Sequence, residues 1–100
     1  MLNPTPLERL VDKHGRPYFL WDNELTLVAF QALLVDPDAD VRARSLARLM
    51  RQAKPDDVMM LVSPRRIAQD LAVVWPYLGD NREFWAFWVD AWRQLGVVDG

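Results

Sequence analysis

Four of the seven prolines in this chain stand beside a residue suited to a helix start: Thr5-Pro6, Asp36-Pro37, Pro55-Asp56-Asp57 and Ser63-Pro64. Proline has no N–H to leave unsatisfied in a first helical turn, so it is tolerated there and excluded from helix interiors. Starts this frequent in 100 residues leave room only for short helices. Helices joined by about two to five residues fold back on one another. The pattern predicts an all-α protein, a compact antiparallel bundle of about five to six short helices.

The best-marked helix spans Asp36 to Ala53 and is expected to lie at the centre. Asp36 is the expected N-cap, with Pro37 in the first turn. Asp38 and Asp40 suit the positive end of the helix dipole; Arg48, Arg51 and Lys54 suit the other end, and Pro55 forbids continuation. Val41, Ser45, Leu49 and Ala53 fall on one line, with Leu46 and Met50 beside it. Arg42 falls within this apolar face. It needs a carboxylate or several carbonyls, and an Asp of a neighbouring turn is the expected partner. Asp40, Arg44, Arg48 and Arg51 form the outer face, read as solvated or as an arginine stripe able to contact phosphate. The D-x-x-V-R start, Asp38 to Arg42, resembles α-solenoid repeats of the HEAT type. Fewer than three units would fit, so one HEAT-like hairpin is expected.

The remaining segments follow from caps and periodicity. Thr5 to Glu8 reads as a capping box opening a short helix from about Pro6 to Lys13, stopped at Gly15. Arg16 to Asp22 has no helical period, so it is expected to be an extended clasp whose Tyr18, Phe19, Leu20 and Trp21 plug the core. Leu25 to Val35 is the second helix, with Thr26 or Asn23 as cap. Its apolar residues fall on nearly every side, which makes it either central or covered by a partner. Leu27, Phe30, Leu33, Leu34 and Val35 are therefore the candidate protein interface. Asp56 and Asp57 read as an acidic helix start before Val58, Met59, Leu61 and Val62. Ser63-Pro64 opens a helix with Ile67, Leu71, Val74, Trp75 and Leu78 on one face, ended or kinked by Pro76 near Val74 or Trp75. The last helix, about Asn81 to Leu95, carries Phe84, Trp85, Phe87, Trp88, Ala91, Trp92 and Leu95 within roughly half its circumference. That stripe is read as core, with an aromatic binding platform as the other reading. Gly96 is the expected C-cap, and the tail from Val97 is expected to fray. The whole reads as one domain over 1–100: an arm to 15, a clasp over 16–24 and a bundle over 25–97.

Composition narrows the function. A net charge of −2 argues against a nucleic-acid or membrane-surface protein overall. Without cysteine there is no thiol chemistry and no Cys-based metal site. The single histidine, His14, sits beside Gly15 at an expected helix end, where the dipole favours it. The Asp36-x-Asp38-x-Asp40 run lacks the glycine and terminal glutamate of a calcium loop. No catalytic residue, cofactor or metal ligand is therefore expected. The apolar run Leu25 to Val35 is far short of the roughly 20 residues of a membrane span, and the start MLNPTPLERL lacks the features of a signal peptide. A soluble, cytoplasmic protein is expected.

The order of short motifs Arg16 to Asp22, Leu25-Thr26, Asp36-Pro37, Asp57-Val58, Ser63-Pro64 and the tryptophan-rich Phe84 to Trp92 resembles a family of small uncharacterised bacterial proteins with a PYFxWD-like motif. The resemblance covers about Arg16 to Val97. Genes of that family often lie beside a nucleotidyltransferase of the AbiEii toxin type, which implies an antitoxin-like or accessory partner role. Family members tend to carry acidic residues after Leu-Thr, where this chain has Leu27 and Val28. The expected function is a non-enzymatic protein-protein interaction module that binds another protein or itself, for example as a homodimer. The alternative is a nucleic-acid-binding regulator using Arg44, Arg48 and Arg51.

Overall fold

The computed structural model describes residues 3–21 and 24–99. They form an all-α bundle: α1 (Leu7–Leu10), α2 (Leu27–Leu33), α3 (Ala39–Gln52), α4 (Pro55–Leu61), α5 (Pro64–Leu78) and α6 (Arg82–Gln94). Two single 3-10 turns, Tyr18–Leu20 and Gly79–Asn81, complete the helical structure. The sole β feature among the described residues is an isolated antiparallel bridge between Val11 and Pro17.

α3 is the centre, as its sequence markings imply. It packs against α2, α4, α5 and the Tyr18–Leu20 turn. Leu46, Ala47, Leu49 and Met50 are buried on it. α5 lies along it and presents Ile67, Val74 and Leu78, all fully buried. The start of α3 differs from expectation. Asp38 is the N-cap, accepting from the Asp40 and Val41 N–H groups. Asp36 lies one turn earlier and accepts from the Asp38 N–H, so Pro37 sits in the loop and not in the helix. Arg42 is half-buried and donates to the carbonyls of Asp36 and Pro37 at 2.7 and 3.0 Å. Its partners come from the neighbouring turn, but they are backbone oxygens and not the expected carboxylate.

The other caps divide. Thr26 caps α2 and Ser63 caps α5, each accepting from an N–H three residues on. Asn23, the competing cap, lies outside the described residues. Thr5 does not cap α1, which is a single turn after Pro6, and its hydroxyl is used elsewhere. With α1 ending at Leu10, His14 stands in a turn closed by Gly15 at φ 76°, not at a helix end. α5 runs through Pro76 to Leu78 instead of ending near Val74 or Trp75. Arg82 satisfies the carbonyl groups at that end, donating to the oxygens of Trp75 and Pro76. α6 closes at Gly96, φ 76°, with Val97 N–H on the Trp92 carbonyl and Gly96 N–H on that of Arg93. That paired bonding turns the chain back, so Val98 is buried and the tail is docked, not frayed.

The segment 16–21 does plug the core. Phe19 and Leu20 are each 1% exposed, and Phe19 meets Phe30 edge to face at 5.5 Å. It does so through a 3-10 turn and not a fully extended run, which throws Trp21 outward. What fixes this strap is Asp57. The residue is 2% exposed. It accepts from the Thr5 N–H at 2.7 Å, the Thr5 hydroxyl at 2.7 Å and the Tyr18 hydroxyl at 2.6 Å. The Tyr18 oxygen in turn accepts from the Lys54 N–H. Burial alone would raise the Asp57 carboxyl, but the bonds from Tyr18 and Thr5, with the charge of Lys54, hold it below its ordinary value. Burial and the adjacent carboxylate push the Tyr18 phenol up to about 12. Asp57 therefore pins the N-terminal segment in addition to standing, with Asp56, in the acidic first turn of α4.

Candidate functional site: an aromatic cleft

α6 is the last helix and lies chiefly along α5. Its buried line is Trp85 and Val89. The Trp85 indole N–H donates to the Met50 carbonyl at 3.0 Å, capping one of the carbonyls left open at the end of α3. That bond fixes the roll of α6. At about 100° per residue, the centre of the aromatic stripe then points away from the bundle by roughly one residue step. Phe84 and Trp88 are 41% and 42% exposed, Phe87 is 66% exposed, and Leu95 is exposed as well. The expectation that the whole stripe is core is corrected: two faces of α6 carry large apolar residues, and the bundle covers only one.

The uncovered face forms one wall of a cleft of about 330 Å³. Phe84, Trp85, Trp88 and Trp92 line that wall; Pro55, Asp56 and Met59 of α4 line the other. The rings brace one another edge to face: Phe84 against Trp85 at 5.2 Å, Phe84 against Trp88 at 6.5 Å and Phe87 against Trp88 at 5.6 Å. Such pairs hold a rigid apolar surface in water. Asp56 is the one ionisable residue in the lining, and its carboxylate accepts from the Asn3 N–H at 2.8 Å.

The interface expected on Leu25 to Val35 is divided between core and surface. Phe30 and Leu34 are buried in the core and cannot present a surface. Leu27 and Leu33 are half-buried. Val28 and Val35 are exposed, and Val35 lies beyond the end of α2. The helix is shorter than its apolar run, so the excess falls in a turn.

Two of the three stripe arginines, Arg44 and Arg48, are engaged internally. Arg44 pairs with Asp40 at 2.9 Å and lies over the Tyr77 ring at 5.2 Å. Arg48 donates to the Gln52 side chain at 3.0 Å, and Arg51 is exposed at the end of α3. A second cleft, about 350 Å³, is lined by Arg9, Asp12, Arg16 and Trp21 among others, but there Arg16 is bound to Asp12 at 3.0 Å. Among the described residues no group of three or more His, Asp or Glu side chains is placed to hold a metal ion. No described helix is long and apolar enough to cross a membrane.

No protein-family model, curated protein or solved structure matches the chain. The reading of the site therefore stands on its geometry.

Proposed function

We propose that this chain is a protein-protein interaction module without enzymatic activity, and that the cleft between α4 and α6 is its docking site. The observation that carries the reading is the exposure of Phe84 and Trp88 in one apolar cleft, with the exposed Phe87 ring packed against Trp88. Single exposed apolar residues are ordinary. A contiguous aromatic face beside a cleft is enriched at binding surfaces, where Trp and rigid rings supply much of the affinity. The family resemblance adds a candidate partner, a nucleotidyltransferase, for which the chain would serve as an antitoxin-like or accessory subunit.

Capture from native lysate by wild-type protein and by a Phe84→Ser/Trp88→Ser double variant tests this. A stoichiometric partner retained by the first and lost by the second, at unchanged helicity, is the expected result. A partner retained equally by both would place the docking site elsewhere on the molecule.

A further inference from the structure

The strap carries a second cleft, separate from the one between α4 and α6. Residues 11–17 form a loop closed on itself. Val11 and Pro17 make the antiparallel bridge, and the Asp12 N–H donates to the Arg16 carbonyl at 2.9 Å. The Asp12 carboxylate ties the inside of the loop. One oxygen accepts from the His14 and Arg16 N–H groups at 2.8 and 3.0 Å, and the other accepts from Arg16 Nε at 3.0 Å. This bonding fixes one guanidinium without saturating it: among the described residues nothing accepts from the Arg16 Nη groups. The guanidinium of Arg9, on α1, has no acceptor at all among the described residues. Both arginines line the cleft of about 350 Å³. Val11, Pro17 and the buried Leu20 give it an apolar floor, and Trp21, 79% exposed, stands at its rim. The wall between floor and rim is held, because Leu20 belongs to the core and the Tyr18 hydroxyl is bonded to Asp57.

A guanidinium fork matches the oxygens of a phosphate, and an indole face stacks on a planar ring. Of the described lining residues, Arg9 and Arg16 are cationic and Asp12 is the one carboxylate, already bound, so the cleft favours an anion. Its volume falls at the low end of the range for small-molecule sites, about 300–1,000 Å³. We propose that this cleft binds a small phosphate monoester carried on a planar ring, the chemistry of a mononucleotide. The phosphate lies between Arg9 and Arg16, and the ring lies against the Trp21 indole over the apolar floor. A nucleic-acid duplex does not satisfy this site, because its phosphates come without a free ring face.

The test is an NMR titration of the full, nitrogen-15-labelled chain with adenosine 5′-monophosphate, adenosine, inorganic phosphate and benzoate, each into the millimolar range. It follows the Trp21 indole N–H and the Nε–H groups of Arg9 and Arg16, identified by their loss in Trp21→Ala, Arg9→Gln and Arg16→Gln. The expected result is a saturable shift of all three with the monophosphate, and binding of the other three probes about tenfold weaker or more. Trp21→Ala should weaken the monophosphate about tenfold through the lost stacking. Arg9→Gln, a change at an exposed side chain that bonds to nothing in the fold, should weaken it by a similar factor. No shift at the three groups would overturn the site. Phosphate binding as tightly as the monophosphate, or an unchanged affinity in Trp21→Ala, would overturn the planar ring. Adenosine binding as tightly, or an unchanged affinity in Arg9→Gln, would overturn the anion, and benzoate binding as tightly would overturn phosphate as its chemistry. Shifts confined to Trp88 and Trp92 would put the ligand in the α4/α6 cleft and overturn the proposal.

Discussion

At the scale of single residues, Asp57 shows how far local sequence logic reaches. An aspartate in the first turn of a helix reads as a dipole charge, because that role needs only neighbours in sequence. Its actual partners, Thr5 and Tyr18, are 52 and 39 residues away. Nothing local signals such a bond. Leaving a buried donor unpaired costs on the order of 2 kcal/mol, so Asp57→Ala should destabilise by about 2–4 kcal/mol in urea unfolding, well beyond Asp56→Ala. The sign of the pH dependence follows from the depressed carboxyl. The stabilisation is complete above the ordinary carboxylate value of 3.8 and is lost as pH falls through the lower folded value. Asp57→Asn should therefore remove part of the acid-induced loss. If the wild type and Asp57→Asn lose stability in parallel on acidification, the buried network does not hold the strap. Tyr18 acts at the other end: its phenolate should form only near pH 12, a late ultraviolet absorbance step absent from Tyr18→Phe. Trp85→Phe should cost about 1–2 kcal/mol through the lost bond to Met50.

At the scale of elements, position along the chain was legible and roll about the axis was not. Pro55 and Pro64 with Ser63 and Thr26 mark where helices start, because capping is decided by a few adjacent residues. The central place of α3 was legible from its acidic start, its basic end and the proline that closes it. The roll of α6 was not, since seven apolar residues, six of them bulky, spread over half a helix leave several rolls almost equally apolar. One hydrogen bond from Trp85 decides among them. The signal that could have exposed the cleft was surplus: a terminal helix lying along one neighbour cannot bury so wide an arc. The same surplus on Leu25 to Val35 resolves differently, through early termination of the helix and insertion of Phe30 and Leu34 into the core. Because Phe87 is largely exposed, Phe87→Ser should change stability by less than about 0.5 kcal/mol. Phe30→Ala, by contrast, should cost about 3–5 kcal/mol. Thermal melts of the two variants separate surface from core directly.

At the scale of the molecule, the strap and the bundle serve different ends. Residues 3–21 are held by Phe19 and Leu20 in the core and by the Asp57 network on α4. They brace the same first turn of α4 that supplies Pro55 and Asp56 to the cleft. The cleft is thus built on an anchored wall at α4 and a bonded wall at α6. A preorganised surface of that kind loses little entropy when a partner docks. The internal pairing of Arg44 and Arg48 gives phosphate little to meet, so a low-salt mobility shift with duplex DNA should show no specific complex. The central claim is that partners dock on the α6 aromatic face, and site-specific photocrosslinking in native cells tests it most directly. A photoreactive phenylalanine placed at position 87, and in parallel at 28, 35 or 51, reports which face meets another protein. We expect one discrete crosslinked species from position 87 alone. Crosslinks from 28, 35 or 51 with none from 87 would contradict the claim and move the docking surface to α2 or α3.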